Sequence, residues 1–288
     1  MAISINSNLA SVRAQRMLAN SSNALGKTYE KLSSGQRINR ASDDAAGLAI
    51  ASSLRVNQKI ATVAIRNAQD GISALAVADG ALSSIGSVLD RLGELAEQSA
   101  NGTYSSVQRS ALHQEFVALG SELERIATTT TFNGVNLLAS GASAVSFQIG
   151  FDSSSLSQIV LDPSGGASLE KLGLAEANSS TLTFSLNDTT TDFAQSAARS
   201  ALAAVNGAIT SLTTLRGTLG TVEARLQSAI SNLTTSRENI QAAESRIMDV
   251  DVAAEAAELT RLNILQQAGS AVLAQANQQP SLAVSLLR

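Results

Sequence analysis

Between Ala198 and Met248 the apolar residues fall at Leu202, Val205, Ile209, Leu212, Leu215, Leu219, Val222, Leu226, Ile230, Leu233, Ile240 and Ile247. Nearly every step is three or four residues, which places them on one narrow stripe of a helix with a near-heptad period. Thr210, Ser211, Thr213, Thr214, Glu223, Arg225 and Gln227 fall off the stripe and form a polar face, and no proline interrupts the run. At 1.5 Å per residue the stripe from Leu202 to Ile247 is about 68 Å long, several times the usual globular helix of ~11–12 residues. A helix that long with only a seam of apolar side chains needs a partner of matching length. Leu54, Ala61, Ile65, Ala68, Ile72, Leu75, Leu82, Ile85, Leu89 and Leu92 keep the same rhythm and supply it.

Three further helical patterns follow. Ile5, Leu9, Val12, Leu18, Leu25 and Leu32 mark the first, which breaks at Ser33-Ser34-Gly35. Ser42 then reads as the N-cap of the next helix, with Asp43 and Asp44 in its electropositive first turn. Leu112, Phe116, Leu119, Leu123 and Ile126 mark another helix over about 105–128, after a turn at Asn101-Gly102. Leu259, Leu262, Leu265, Val272 and Leu273 mark a last one, rich in alanine and side-chain amides, which Pro280 is expected to end.

Between about 140 and 195 the period changes from helical to alternating. Val145-Ser146-Phe147-Gln148-Ile149 and Leu156 to Leu161 alternate apolar and polar around Asp152-Ser153-Ser154-Ser155, which predicts a β-hairpin. Phe132-Asn133-Gly134 predicts a tight turn. Thr181 to Leu186 reads as one more strand, within a Ser/Thr-dense strip, 179–191, that suggests an exposed face. The fold class is therefore mainly α: a long antiparallel helical bundle or coiled coil with both termini paired, plus a small β-hairpin region in the middle of the chain.

Composition sharpens this picture. Hydrophobic residues make up 44% of the 288, but aromatics only 3%, so apolar surface is spread over small side chains rather than gathered in a thick core. A net charge of −4 argues against a nucleic-acid partner. The absence of cysteine excludes disulfides and thiolate metal sites. The N-terminus has no basic start followed by an apolar run, so it is not a Sec-type signal, and no unbroken apolar stretch reaches the ~18 residues of a membrane span. The single histidine, His113, is followed by Gln114-Glu115 with no second histidine one turn on. Neither a zinc-peptidase helix nor a hydrolytic triad is implied, and no cofactor or metal is expected.

The two ends differ in charge. Residues 1–40 carry six basic residues and one acid, +5, whereas residues 244–288 carry five acids and three basic residues, −2. Opposite signs favour their lying side by side, although exposed pairs add less than about 1 kcal/mol each. Ordering each residue costs roughly 1–2 kcal/mol, which two alanine-rich helices recover poorly from each other alone. The ends are therefore expected to be poorly ordered in the free chain and to fold when several copies pack together.

Particular residues then connect the chain to a known family. Ile5-Asn6-Ser7-Asn8, Gln15-Arg16, Leu32-Ser33-Ser34-Gly35, Arg37-Ile38-Asn39 and Ser42 to Gly47 at one end closely resemble bacterial flagellin. So do Ser245-Arg246-Ile247, Asp249, Asp251, Ile264 to Gly269, Leu273 to Gln278 and Ser285-Leu286-Leu287-Arg288 at the other, and Phe132-Asn133-Gly134-Val135 fits too. The resemblance spans about residues 1–140 and 195–288. It implies a secreted, extracellular subunit that polymerises head-to-tail into the hollow helical flagellar filament, in a short form without large outer domains.

On that resemblance, 1–42 is an inner-core helix pairing with 249–288, and 43–140 and 196–248 form the outer core. The stretch 141–195 holds the hairpin and a short surface segment. Polymerisation falls to Ile5, Leu9, Leu18, Leu25, Leu259, Leu262, Leu265, Val272 and Leu273. Arg91, Leu95 and Glu115 match positions used in recognition by the flagellin-sensing Toll-like receptor, although Gly93 stands where an arginine is common and Asp90 and Glu97 replace neutral residues. Without the resemblance, Leu92 and Leu95 are seam residues and Arg91 a solvated charge. The implied partners are further copies of the chain, hook-associated junction and cap proteins, an export chaperone, and the type III export apparatus. Ser and Thr within 179–191 are candidate O-glycosylation sites. A hook–filament junction protein of the same fold and a surface adhesin or glycan-binding homologue are the competing readings.

Overall fold

The computed structural model describes residues 8–152, 154–162, 166–177, 179–187 and 191–286, with the side chains of 191–193 and 279–286 outside that description. Five helices carry the chain: α1 (Leu9–Ser34), α2 (Ala45–Ala100), α3 (Ser106–Thr129), α4 (Thr191–Met248) and α5 (Val252–Leu286). Two small antiparallel hairpins lie between α3 and α4, β1 (Thr131–Phe132) with β2 (Val135–Asn136), and β3 (Val145–Gln148) with β4 (Gln158–Leu161). The chain divides into two compact units. One comprises Met1–Gln58 and Glu238–Arg288, the other Lys59–Arg237, and α2 and α4 contribute residues to both.

In the larger unit the two long stripes face each other. Leu75, Leu82, Ile85, Leu89 and Leu92 of α2 and Val205, Leu212, Leu219, Val222 and Leu226 of α4 are buried in one core, as the three-four rhythm requires. The helices run antiparallel: Leu226 sits over Gly71, Arg216 pairs with Asp79 at 2.8 Å, and Leu212 lies over Gly86. Phe116, Leu123 and Ala127 of α3 fill the third side. An apolar window of α2 reaches a mean hydropathy of 1.6, so by length and composition this helix is long and apolar enough to cross a membrane. Its seam is instead occupied by α3 and α4.

Local chemistry explains the helix ends. Ser105 accepts from the Gln108 amide while the Gln108 side chain accepts from the Ser105 amide, a reciprocal capping box that starts α3. α2 begins at Ala45 rather than just after Ser42. The carboxylate of Asp44 accepts from the Gly47 amide at 2.8 Å and is the cap, whereas Asp43 accepts from the amides of Asn39 and Arg40 and tethers the preceding turn. Those two bonds, Arg40 first, hold the Asp43 carboxyl below its ordinary pKa. Arg109, almost fully buried, donates to the carbonyl of Asn101 at 3.1 Å and pins the turn between α2 and α3.

The hairpins follow their turn residues. Asn133 and Gly134 both have positive φ, 50° and 79°, the backbone of a tight Asn-Gly turn whose twist suits two antiparallel strands. In the larger hairpin Val145 pairs with Leu161 and Phe147 with Ile159, so the apolar side chains share one face. Phe147 packs at Gly71, and the Asn67 side chain donates to the Gln148 carbonyl at 3.0 Å. Asp152 gathers the Ser154 amide and the hydroxyls of Ser154 and Ser157 to close the loop.

Two further expectations fail. Residues 181–186 form no strand: the alternation is real, with Leu186 buried and Leu182 and Phe184 half-buried, but it faces helices rather than a strand edge. Pro280 does not end the last helix, since α5 runs on to Leu286. Proline removes the amide that would bond four residues back and crowds that residue's carbonyl; here that carbonyl, of Ala276, accepts from Asn8 instead.

In the smaller unit α1 and α5 lie antiparallel, with few large side chains buried between them. Leu25, Leu262 and Ala276 are the buried apolar residues of this pair among the described positions, beside buried Ser11 and Thr28. The pair is therefore expected to open well before the larger unit. Amide exchange on the dilute full chain should show residues 9–34 and 252–278 exchanging at least about a hundredfold faster than 75–95. Equal protection of the two sets would contradict this reading.

Candidate self-assembly surface

The α1–α5 pair is built from its ends inward. Asn8 caps α1, its Oδ1 accepting from the Ser11 amide at 3.0 Å, and Gly35 closes it in the left-handed conformation at φ 71°. Asp251 caps α5 by accepting from the amides of Ala253 and Ala254 at 3.0 and 3.1 Å. At the joined end the backbone exchanges bonds directly, Arg37 N–H to the Met248 carbonyl at 2.5 Å and Val250 N–H to the Gly35 carbonyl at 3.0 Å. Ile38, Ala51 and Met248 form a small core there, and Lys31 approaches Glu255 at 3.7 Å. The opposite charges of the two ends thus meet there, in a modest half-buried contact.

At the far end one side chain serves both helices. Asn8, while capping α1 with its oxygen, donates its Nδ2 to the Ala276 carbonyl at 2.7 Å. Ala276 is four residues before Pro280, so its carbonyl has no amide partner within α5. The amide of Asn8 replaces the missing one. Beside it Ser11 Oγ donates to Asn277 Oδ1 at 2.7 Å. The register of α1 on α5 is therefore set by a proline, a cap and an amide rather than by apolar fit. In sequence Asn8 falls inside the first apolar pattern, which begins at Ile5, and nothing beside it marks it as a cap or as a donor to a distant carbonyl. The second half of the signal, a carbonyl released by Pro280, lies 268 positions away.

The residues expected to carry polymerisation divide into two groups. Leu25 and Leu262 are buried, and Leu18, Leu259 and Leu273 are half-buried, Leu18 lying against Gly269 of the partner helix. Leu9, Leu265 and Val272 are exposed, at 64%, 45% and 58%. Val12, Met17, Tyr29, Val252 and Ile264 are exposed beside them. Ile5 lies outside the described residues. Apolar side chains thus stand exposed along both helices of the pair.

The second expected site, on the larger unit, is split by the fold. Arg91 of α2 bonds Glu115 of α3 at 2.8 Å and Glu94 at 2.7 Å, and all three are exposed. The hydrogen bonds that Arg91 donates to Glu94 and then to Glu115 push the guanidinium pKa further up, so this charge is permanent. Leu95 is fully buried in the core. Surface contact there falls to Arg91 and Glu115, with Leu95 supporting the helix beneath. In the Ser/Thr strip Ser180, Thr181 and Thr183 are exposed, and residues 188–190 lie outside the described residues.

Residues 5–143 match the family described as the bacterial flagellin N-terminal helical region, and residues 202–287 the bacterial flagellin C-terminal helical region. The chain is 43% identical over 284 residues to a flagellin of Halalkalibacterium halodurans, covering 99% of each. It is 40% identical over 305 residues to a flagellin of Bacillus subtilis, again 99% of each. A flagellar filament 33 kDa core protein of Treponema phagedenis is 37% identical over 291 residues, with 99% of each covered.

Two substitution sets test these assignments. Leu95→Ala should lower unfolding stability by about 2–5 kcal/mol through the cavity it leaves, whereas Arg91→Ala should change it by less than about 1 kcal/mol. Urea titration of both variants decides whether Leu95 belongs to the core. Asn8→Asp keeps the cap oxygen but removes the donor to Ala276, and should weaken the α1–α5 pair by about 1 kcal/mol. In a Pro280→Ala background, where α5 regains its own amide, the same change should cost less, as a double-mutant cycle would read.

Proposed function

The chain belongs to the bacterial flagellin family, a structural subunit of the flagellar filament, and from that premise we propose that the α1–α5 pair is its polymerisation surface. The observation that supports this most is the crowd of apolar side chains left in solvent by that pair, Leu9, Val12, Ile264, Leu265 and Val272 among them. A subunit that buries them against further copies gains in assembly what the isolated pair lacks. The contacts are heterologous, one patch meeting a different patch on the next copy, so they propagate into a helix instead of closing into a ring.

In this reading 1–42 and 249–288 form the inner core of the filament, 43–140 and 196–248 the outer core, and 141–195 the surface segment. Leu18, Leu25, Leu259, Leu262 and Leu273 hold the pair together, and Leu9, Leu265 and Val272, with Ile5, meet the neighbouring copies. The family's filament is extracellular. Export of this chain through the type III apparatus with a chaperone, and contact with hook-associated junction and cap proteins, belong to the same proposal. The ion pair of Arg91 with Glu115 is its candidate contact for the flagellin-sensing receptor, and the exposed hydroxyls of Ser180, Thr181 and Thr183 are its candidate O-glycosylation acceptors.

Polymerisation from seeds, followed by electron microscopy, tests the assignment. Leu262→Glu and Leu273→Glu should block filament growth by opening the pair, and Leu265→Glu should block it while leaving the pair intact. Burying an unpaired carboxylate at each contact costs several kcal/mol, multiplied along the polymer. The larger unit should keep its helical circular-dichroism signal in all three. Normal filaments from Leu265→Glu would refute the proposed outer contact.

A further inference from the structure

The stretch 181–187, which forms neither helix nor strand, is strapped to α2 and α3 at both ends of its backbone run. Leu186 is fully buried. Its carbonyl accepts from Ser99 Oγ of α2 at 3.1 Å, and its amide donates to Nδ1 of His113 on α3 at 3.3 Å. Two turns further along α3, Leu182 fills the space over Gly120, where any Cβ would collide with it. The Thr183 amide bonds the Leu174 carbonyl at 3.0 Å. Ser185 and Asn187 close a small turn on each other. His113 is the ionisable member of this set, and the sole histidine of the 288 residues.

An imidazole nitrogen accepts a hydrogen bond only when unprotonated, so the strapped ring carries its proton on Nε2. Protonating Nδ1 sets a donor against the Leu186 donor and leaves a buried amide without a partner. We propose that His113 is an acid-released latch: neutral, it fastens the strap 181–187 to the helices, and protonated, it lets the strap go. Release bares Leu182, Phe184 and Leu186 together, an apolar surface that the latched chain keeps covered.

The charged groups within one turn of His113 on α3 are Arg109, which donates to the Asn101 carbonyl and keeps a buried Nε without a partner, and Glu115, which pairs with Arg91. On α2 the facing group is the Ser99 hydroxyl, and on the strap Ser185 and Asn187 carry no charge. Asp188 lies outside the described residues. Burial lowers the pKa of His113 from the usual 6.5. The released state therefore binds a proton more readily than the latched one. The latch is fully effective above about pH 6.5 and weakens as pH falls from there toward the lowered pKa.

Amide exchange of 182–187 in the full chain, corrected for intrinsic rates, reads the latch directly. Between pH 7.5 and 5.0 protection should fall measurably, while the hairpin amides of 145–148 and 158–161 hold theirs. His113→Gln, whose side-chain oxygen accepts at every pH, should show no such fall, and His113→Phe should be unprotected at both values. Unchanged protection in the native chain, an equal fall in His113→Gln, or a parallel loss in the hairpin would overturn the proposal. The ring should titrate below 6.5 by NMR and keep its midpoint in Asp188→Asn. A midpoint at or above 6.5, or one that moves by a unit or more in that variant, would overturn it as well.

Discussion

A seam of small apolar side chains one residue wide, running along a helix of more than fifty residues, has to be covered along its whole length. α2 and α4, of 56 and 58 residues, meet that demand in the larger unit by facing each other, with α3 closing the third side. Aromatic side chains are too scarce to thicken the core, so the burial is thin and extended. Such a core tolerates local openings better than the loss of a whole helix, because each turn contributes only a few contacts.

The same demand is left unmet in the smaller unit. α1 and α5 bury Leu25, Leu262 and Ala276, and then turn to polar devices. Asn8 joins a helix cap to a carbonyl that Pro280 has released, and Ser11 bonds Asn277. These contacts have direction and so define register, but each contributes only about 1 kcal/mol. The result is a pair whose alignment is well specified and whose stability is slight. For a filament subunit that division suits the proposed polymerisation surface: alignment is set within the chain, and the exposed apolar residues are left for contacts with further copies.

Between the hairpins and α4 the chain uses a third kind of fastening. The strap 181–187 has the alternation of a strand but lies on helices, so its backbone groups find side-chain partners in Ser99 and His113 instead of a ladder. Backbone polar groups that enter a core must be paired somehow. A histidine partner accepts that hydrogen bond only while its ring is unprotonated, which makes the pairing conditional.

Much of this was legible in residue order. The spacing of the apolar residues in α2, α3 and α4, the Asn133-Gly134 turn and the register of β3 on β4 all follow from local rules, because helix and hairpin periods are properties of neighbouring residues. The motifs at the two ends placed the family for the same reason. What local rules misread was decided by contacts far apart in sequence. Thr181 to Leu186 alternates whether its apolar side rests on a sheet or on helices, and only Ser99, His113 and Gly120 settle which. Pro280 breaks a helix unless something answers the carbonyl it releases, and that answer is Asn8. Leu95 and Arg91 sit one turn apart in the sequence, yet Leu95 is packed in the core while Arg91 stays exposed at its edge and pairs with Glu115 of α3.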